Sequence, residues 1–316
     1  MESVLVPATV AGLIMLPTRW FSHRVFFVVI AAAAFLLAFI VSYVLTFGWP
    51  SDATLNARQK VFFVTTAAVL LGIHYSLGQR HAIFLPAFLV IAGPLWIGWP
   101  ALMQGASSTI LLILPAALGL WILLQITRAP ARSVELGLLL VIAAIGLTWT
   151  ALFARTFSIA QLALVLASAL LAAMLARKKP PATVILIAAT MLFVGLLSTL
   201  LLYSEAPFSA LLFLSAGLIL PPFAGVISRY TARQHPLWPS LLIASLLTAI
   251  AVSIAWIDAG ASSIFDGASL DHGVVNIQAG KPYQKNYFAL DALISMLITT
   301  SSATVVVDVQ SPCPMP

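Results

Sequence analysis

Histidine is the side chain best placed to move protons or hold a metal near neutral pH, and His74 and His81 stand seven residues apart. That spacing returns to a similar face of a helix, as a paired metal or haem site would need. Neither the two-His-plus-Glu pattern of a zinc hydrolase nor any cysteine ligand accompanies them, and the one cysteine, Cys313, lies near the C-terminus. The pair reads as interfacial histidines bonded to water, backbone or headgroups, and neither a metal nor a cofactor is expected. Ser215 precedes Ala216 and Gly217 without a G-x-S-x-G frame, and no intramembrane His or Lys stands by as its base, so no catalytic residue is assigned. Thr190, Ser198, Thr199, Ser245, Thr248 and Ser253 read as hydroxyls that bond within or between helices.

Proline and glycine inside apolar stretches carry a different signal. Proline frees backbone groups that must find other partners, and transporters place such broken helices at midplane binding sites. The stretch 82–99 holds Pro86, Gly93 and Pro94, and the stretch 208–228 holds Gly217, Pro221, Pro222 and Gly225. These are the fourth and ninth of ten apolar blocks, so two halves of five would make them equivalent, with the second half inverted. The arrangement resembles the architecture of transporters with two crossing discontinuous helices. That resemblance implies a ligand path past Gly93, Pro94, Gly217, Pro221 and Pro222.

The elements that must position these residues are membrane spans. Of 316 residues 62% are hydrophobic and 8% charged, more apolar surface than a soluble domain can bury. The apolar blocks 4–16, 25–47, 61–77, 82–99, 109–126, 134–153, 159–176, 182–203, 208–228 and 237–257 have roughly the length a bilayer-crossing helix requires. This predicts an all-α integral membrane protein, a polytopic bundle of about ten transmembrane helices over 1–257. The first block follows Glu2 rather than a basic segment and is closed by Pro17, Thr18 and Arg19 without a small-residue cleavage site, so it is expected to remain in the mature chain.

Basic residues alternate between loops. One set holds Arg19, Arg24, Arg80, Arg128, Arg132, Arg177, Lys178, Lys179, Arg229 and Arg233, and the opposite set only Arg58, Lys60 and Arg155. Because basic short loops are retained in the cytoplasm, both termini are expected on the extracytoplasmic side of a bacterial inner membrane. Glu135 is the one acid near the inner face. Tryptophan favours the headgroup level; Trp20, Trp121 and Trp238 fall toward inner ends and Trp49, Trp96, Trp99, Trp149 and Trp256 toward outer ends. The net charge of +6 is dispersed over these loops, which points away from nucleic acid and toward the lipid bilayer as partner.

Residues 258–316 read as an extracytoplasmic tail, with valine-rich strands at 273–278 and 304–310 around a helix at 287–300, offering a surface for a protein partner. A rival reading makes 292–307 an eleventh span. Away from their ends the spans hold no Asp, Glu, Lys or Arg, which argues against ion coupling and intramembrane hydrolysis. The expected function is therefore non-catalytic transport, of permease type, of a neutral or lipid-like solute. The alternatives are an accessory or scaffold subunit of a larger complex, or an enzyme acting on lipid-linked substrates through Asp52, Glu205 or Asp258.

Overall fold

The structure, a computed structural model, describes residues 24–50, 55–77, 83–103, 107–128, 132–175, 183–220 and 237–270, without the side chains of 24, 25, 107–110, 237, 238 and 261–270. Among the described residues run nine helices and no strand: α1 (Arg24–Phe47), α2 (Ala57–Ser76), α3 (Phe84–Leu102), α4 (Ser107–Arg128), α5 (Ser133–Phe153), α6 (Phe157–Leu175), α7 (Thr183–Tyr203), α8 (Phe208–Ile219) and α9 (Leu237–Leu270). Seven of them are long and apolar enough to cross a membrane, so the chain is an all-α protein of membrane type.

The expectation of ten spans is corrected to seven among these residues. α2 has the length, at 20 residues, but Arg58, Gln59 and Lys60 fill its first turn, and Thr65, Thr66, Gly72 and His74 dilute the rest. α8 has the composition but only 12 residues, ending before Pro221 and Pro222. The block 4–16 lies outside the described residues, as do the expected strand, helix and strand of the tail and the alternative span 292–307. α9 continues as helix through Asp258 to Leu270, past the end of its apolar stretch.

A helix that is apolar all round has no face for water and becomes the interior of a bundle. α7 is such a helix, buried without interruption from Val184 to Leu202, and it packs against α1, α2, α3, α4, α5, α6 and α8. The surrounding helices keep one face outward, as Leu242, Leu246 and Ile257 of α9 illustrate.

Lipid is as apolar as leucine, so close packing and small residues bring such helices together. Gly72, late in α2, faces Val184, early in α7; Gly195, late in α7, faces Val61, early in α2. The two helices are therefore antiparallel. Gly98 of α3 against Leu112 of α4, and Gly119 of α4 against Val90 of α3, show the same for that pair. Ala163, Ala167, Ala169 and Ala173 are buried along α6, which packs on α1, α5 and α7. Buried hydroxyls close back on their own helices, four residues earlier: Thr190 to Leu186 O at 2.7 Å, Ser198 to Val194 O at 2.7 Å, Thr199 to Gly195 O at 2.8 Å and Ser215 to Leu211 O at 2.8 Å. In a medium without water each polar group needs an internal partner, and this is the nearest one.

Candidate functional site

Five segments of the chain converge at one end of the bundle. The first is the start of α2, where Asn56 caps the helix reciprocally with Gln59: the Gln59 N–H donates to Asn56 Oδ1 at 3.0 Å and the Asn56 N–H to Gln59 Oε1 at 2.9 Å. This box fixes the first turn and with it two cations. Arg58 stays exposed, its guanidinium 5.7 Å from the centre of the Phe47 ring at the end of α1. Lys60, two residues on, turns inward and is 8% exposed.

Lys60 can be buried because of a proline. Pro100 lies inside α3 and has no N–H, so the carbonyl of Trp96, four residues earlier, loses its ladder donor and is displaced by the ring. Lys60 Nζ donates to that carbonyl at 2.9 Å. The next carbonyl, of Ile97, accepts the Tyr203 hydroxyl from the last turn of α7 at 2.9 Å. A helix end opened by proline is thus tied to α2 and α7 through side chains.

The fifth segment is the turn between α5 and α6. Arg155 holds φ at +56°, the one non-glycine with positive φ among the described residues. The strain is fixed by bonds on both sides: the Arg155 N–H donates to Leu152 O, the Thr156 N–H and hydroxyl both donate to Ala151 O, and Thr156 O accepts from the N–H groups of Ile159 and Ala160. A side chain in this region costs roughly 1 kcal/mol or more relative to glycine. Arg155→Gly is therefore expected to stabilise the protein by about 1 kcal/mol, read as a higher midpoint in a thermal scan of the purified protein. A lower midpoint would show that the arginine side chain makes a stabilising contact of its own.

Between these segments lies a cavity of about 780 Å³. Arg58, Lys60 and Arg155 line it together with the hydroxyl-bearing Thr156, Ser158, Thr199 and Tyr203. Leu55, Pro100, Phe157 and Ile159 give it apolar walls. The first turns of α2 and α6 both border it, adding the partial positive charge of two helix starts. Trp49, Trp96, Trp99, Trp149 and Trp256, which lie in or next to the helix ends on this side, are all exposed.

Of the residues read from the sequence as a ligand path, the described ones, Gly93, Pro94 and Gly217, do not line this cavity. α3 runs unbroken through Gly93 and Pro94; a Cβ on Gly93 would stand 3.1 Å from Val64 of α2, so the glycine serves that contact. Gly217 is buried in α8 against Ala244 and Leu247 of α9. The two therefore serve different helix pairs and neither lines the cavity; Pro221 and Pro222 lie outside the described residues. His74 is exposed in the last turn of α2, and His81 lies outside the described residues. Among the described residues no three His, Cys, Asp or Glu gather.

What the loop reading did not join up was the cationic group itself. Arg58, Lys60 and Arg155 are the three residues that break the alternation of basic loops, and the exceptions come together in space. The chain matches no protein-family model, no curated protein and no solved structure.

Proposed function

We propose that this membrane protein is of permease type and takes a lipid-like amphiphile into the cavity, on the extracytoplasmic side. The observation that carries the reading is the cavity itself: about 780 Å³, lined by both apolar and hydrogen-bonding residues, at an end of the bundle where exposed tryptophans support a headgroup depth. Ligand pockets run from about 300 to 1,000 Å³. The outward orientation follows from the basic loops when α2 and α8 are counted as crossing elements alongside the other apolar blocks, and spans free of ionisable groups away from their ends support movement without ion coupling. α3 connects the cavity at Pro100 with Gly93 and Pro94, and shares its neighbours α4 and α7 with α8, which carries Gly217 ahead of Pro221 and Pro222. A path along these two helices is the route we assign to the solute.

Reconstitution tests this. Vesicles containing the full chain and a fluorescent phosphatidylglycerol, bleached from outside with dithionite, should show faster transbilayer movement of the lipid than protein-free vesicles. Ser158→Trp, which places an indole in the cavity, should slow it while leaving the thermal midpoint near that of the wild type. Equal rates with and without protein would overturn the reading.

A further inference from the structure

We infer that the cavity binds the phosphate group of an anionic amphiphile through Arg58, Lys60 and Arg155. The inference rests on the permease reading above and adds to it the charge and chemistry of the ligand. Three cations line one partly enclosed space, and among the described residues none is engaged by a carboxylate. Like charges drawn together disfavour one another, most of all where one of them, Lys60, is buried, and an anion among them removes that cost.

Each cation is also held against an opposing tendency. Basic residues in short loops resist export, so three on this side run against the bias that the other loops obey. Arg155 occupies a backbone conformation that favours glycine. Lys60 is buried with one carbonyl partner, leaving two N–H donors for another acceptor.

The donor set fits phosphate. Two guanidinium forks bind tetrahedral oxyanions in pairs of parallel hydrogen bonds, an ammonium adds a point charge, and the starts of α2 and α6 contribute partial positive charge. The wall of Leu55, Phe157 and Ile159 suits a hydrocarbon chain attached to that phosphate and has no use for a free inorganic ion.

The test is native mass spectrometry of the full chain in detergent, titrated separately with phosphatidylglycerol, phosphatidylcholine and glycerol 3-phosphate. Wild type should retain phosphatidylglycerol over phosphatidylcholine. Arg58→Gln combined with Arg155→Gly should weaken phosphatidylglycerol binding about tenfold or more, each lost charge-assisted contact being of that order. Lys60 stays in place in this variant because it also supports α3. Arg128→Gln, at the opposite end of the bundle, should keep the wild-type affinity.

An unchanged affinity in the double variant, or no preference between the two lipids in wild type, overturns the inference. Glycerol 3-phosphate binding as tightly as the lipid, and lost in the same double variant, upholds the phosphate site but overturns the amphiphile and with it the lipid-permease reading. Lipid movement in vesicles with no headgroup preference leaves the permease reading standing and removes this one.

Discussion

Gly72→Leu is expected to leave little folded protein, because it drives a side chain into the backbone of the central helix. A Cβ at this position would stand 2.9 Å from Val184 Cγ2, 3.2 Å from Val184 Cα and 3.3 Å from Val184 O. The valine methyl group can turn away; the Cα and carbonyl cannot move without displacing α7. Since α7 touches seven other helices, displacing it disturbs most of the bundle. Overpacking a close-packed site costs typically about 1–3 kcal/mol, and a rigid neighbour puts Gly72→Leu at about 3 kcal/mol or beyond.

Two other glycines bracket the effect. At Gly146 the nearest atoms are side-chain ends, Leu214 Cδ1 and Thr248 Cγ2, so substitution there should be milder despite the shorter distance of 2.5 Å to each. A Cβ on Gly260 would meet nothing within 4 Å among the described residues, and Gly260→Ala should raise stability by up to about 1 kcal/mol through helix propensity. Thermal scans and size-exclusion profiles of the three variants should fall in the order Gly260→Ala, Gly146→Ala, Gly72→Leu. Equal tolerance of Gly72→Leu and Gly260→Ala would mean that α2 and α7 do not meet as described.

The membrane character of the chain was legible in block length and composition, because both are imposed by the bilayer on each helix separately. The number of spans was not. α2 looks like a span once its polar first turn is set aside, yet that turn is continuous with the helix and gives Lys60 its position. α8 looks like one until the chain is seen to leave the helix at Leu220. The central place of α7 had a sequence signature, an apolar surface on every side with small residues throughout, since only an interior position suits a helix that offers no polar face.

The cavity was legible only in pieces. The capping pair Asn56 and Gln59 is a local pattern, and Pro100 announces a free carbonyl. Nothing in the spacing says that Lys60 reaches that carbonyl 36 residues away, because the register between α2 and α3 is set by side-chain contacts such as Gly93 against Val64. The Gly93 and Gly217 positions carry a double meaning for the same reason. A glycine in a span marks close approach, and close approach between two packed helices looks identical in sequence to close approach of a ligand.

The dependence of Lys60 on Pro100 yields the second large effect. Lys60→Met keeps the length and apolar stem of the side chain but removes the donor to Trp96 O, leaving a carbonyl that Pro100 has already deprived of its ladder bond. A hydrogen bond from a charged donor is worth about 1.5–3 kcal/mol, and relief of the burial of an ammonium offsets part of its loss. The expected net cost is about 2 kcal/mol in the native background. In a Pro100→Ala background the new N–H of residue 100 can close on Trp96 O, so the carbonyl no longer needs the lysine. Lys60→Met should then cost little, and the four proteins of the cycle should show a coupling of about 1–2 kcal/mol in stability. The Pro100→Ala single variant should change least, because it satisfies the same acceptor twice. Additive effects across the cycle would mean that the lysine is held at α3 for its charge alone, and that the proline has no part in placing it.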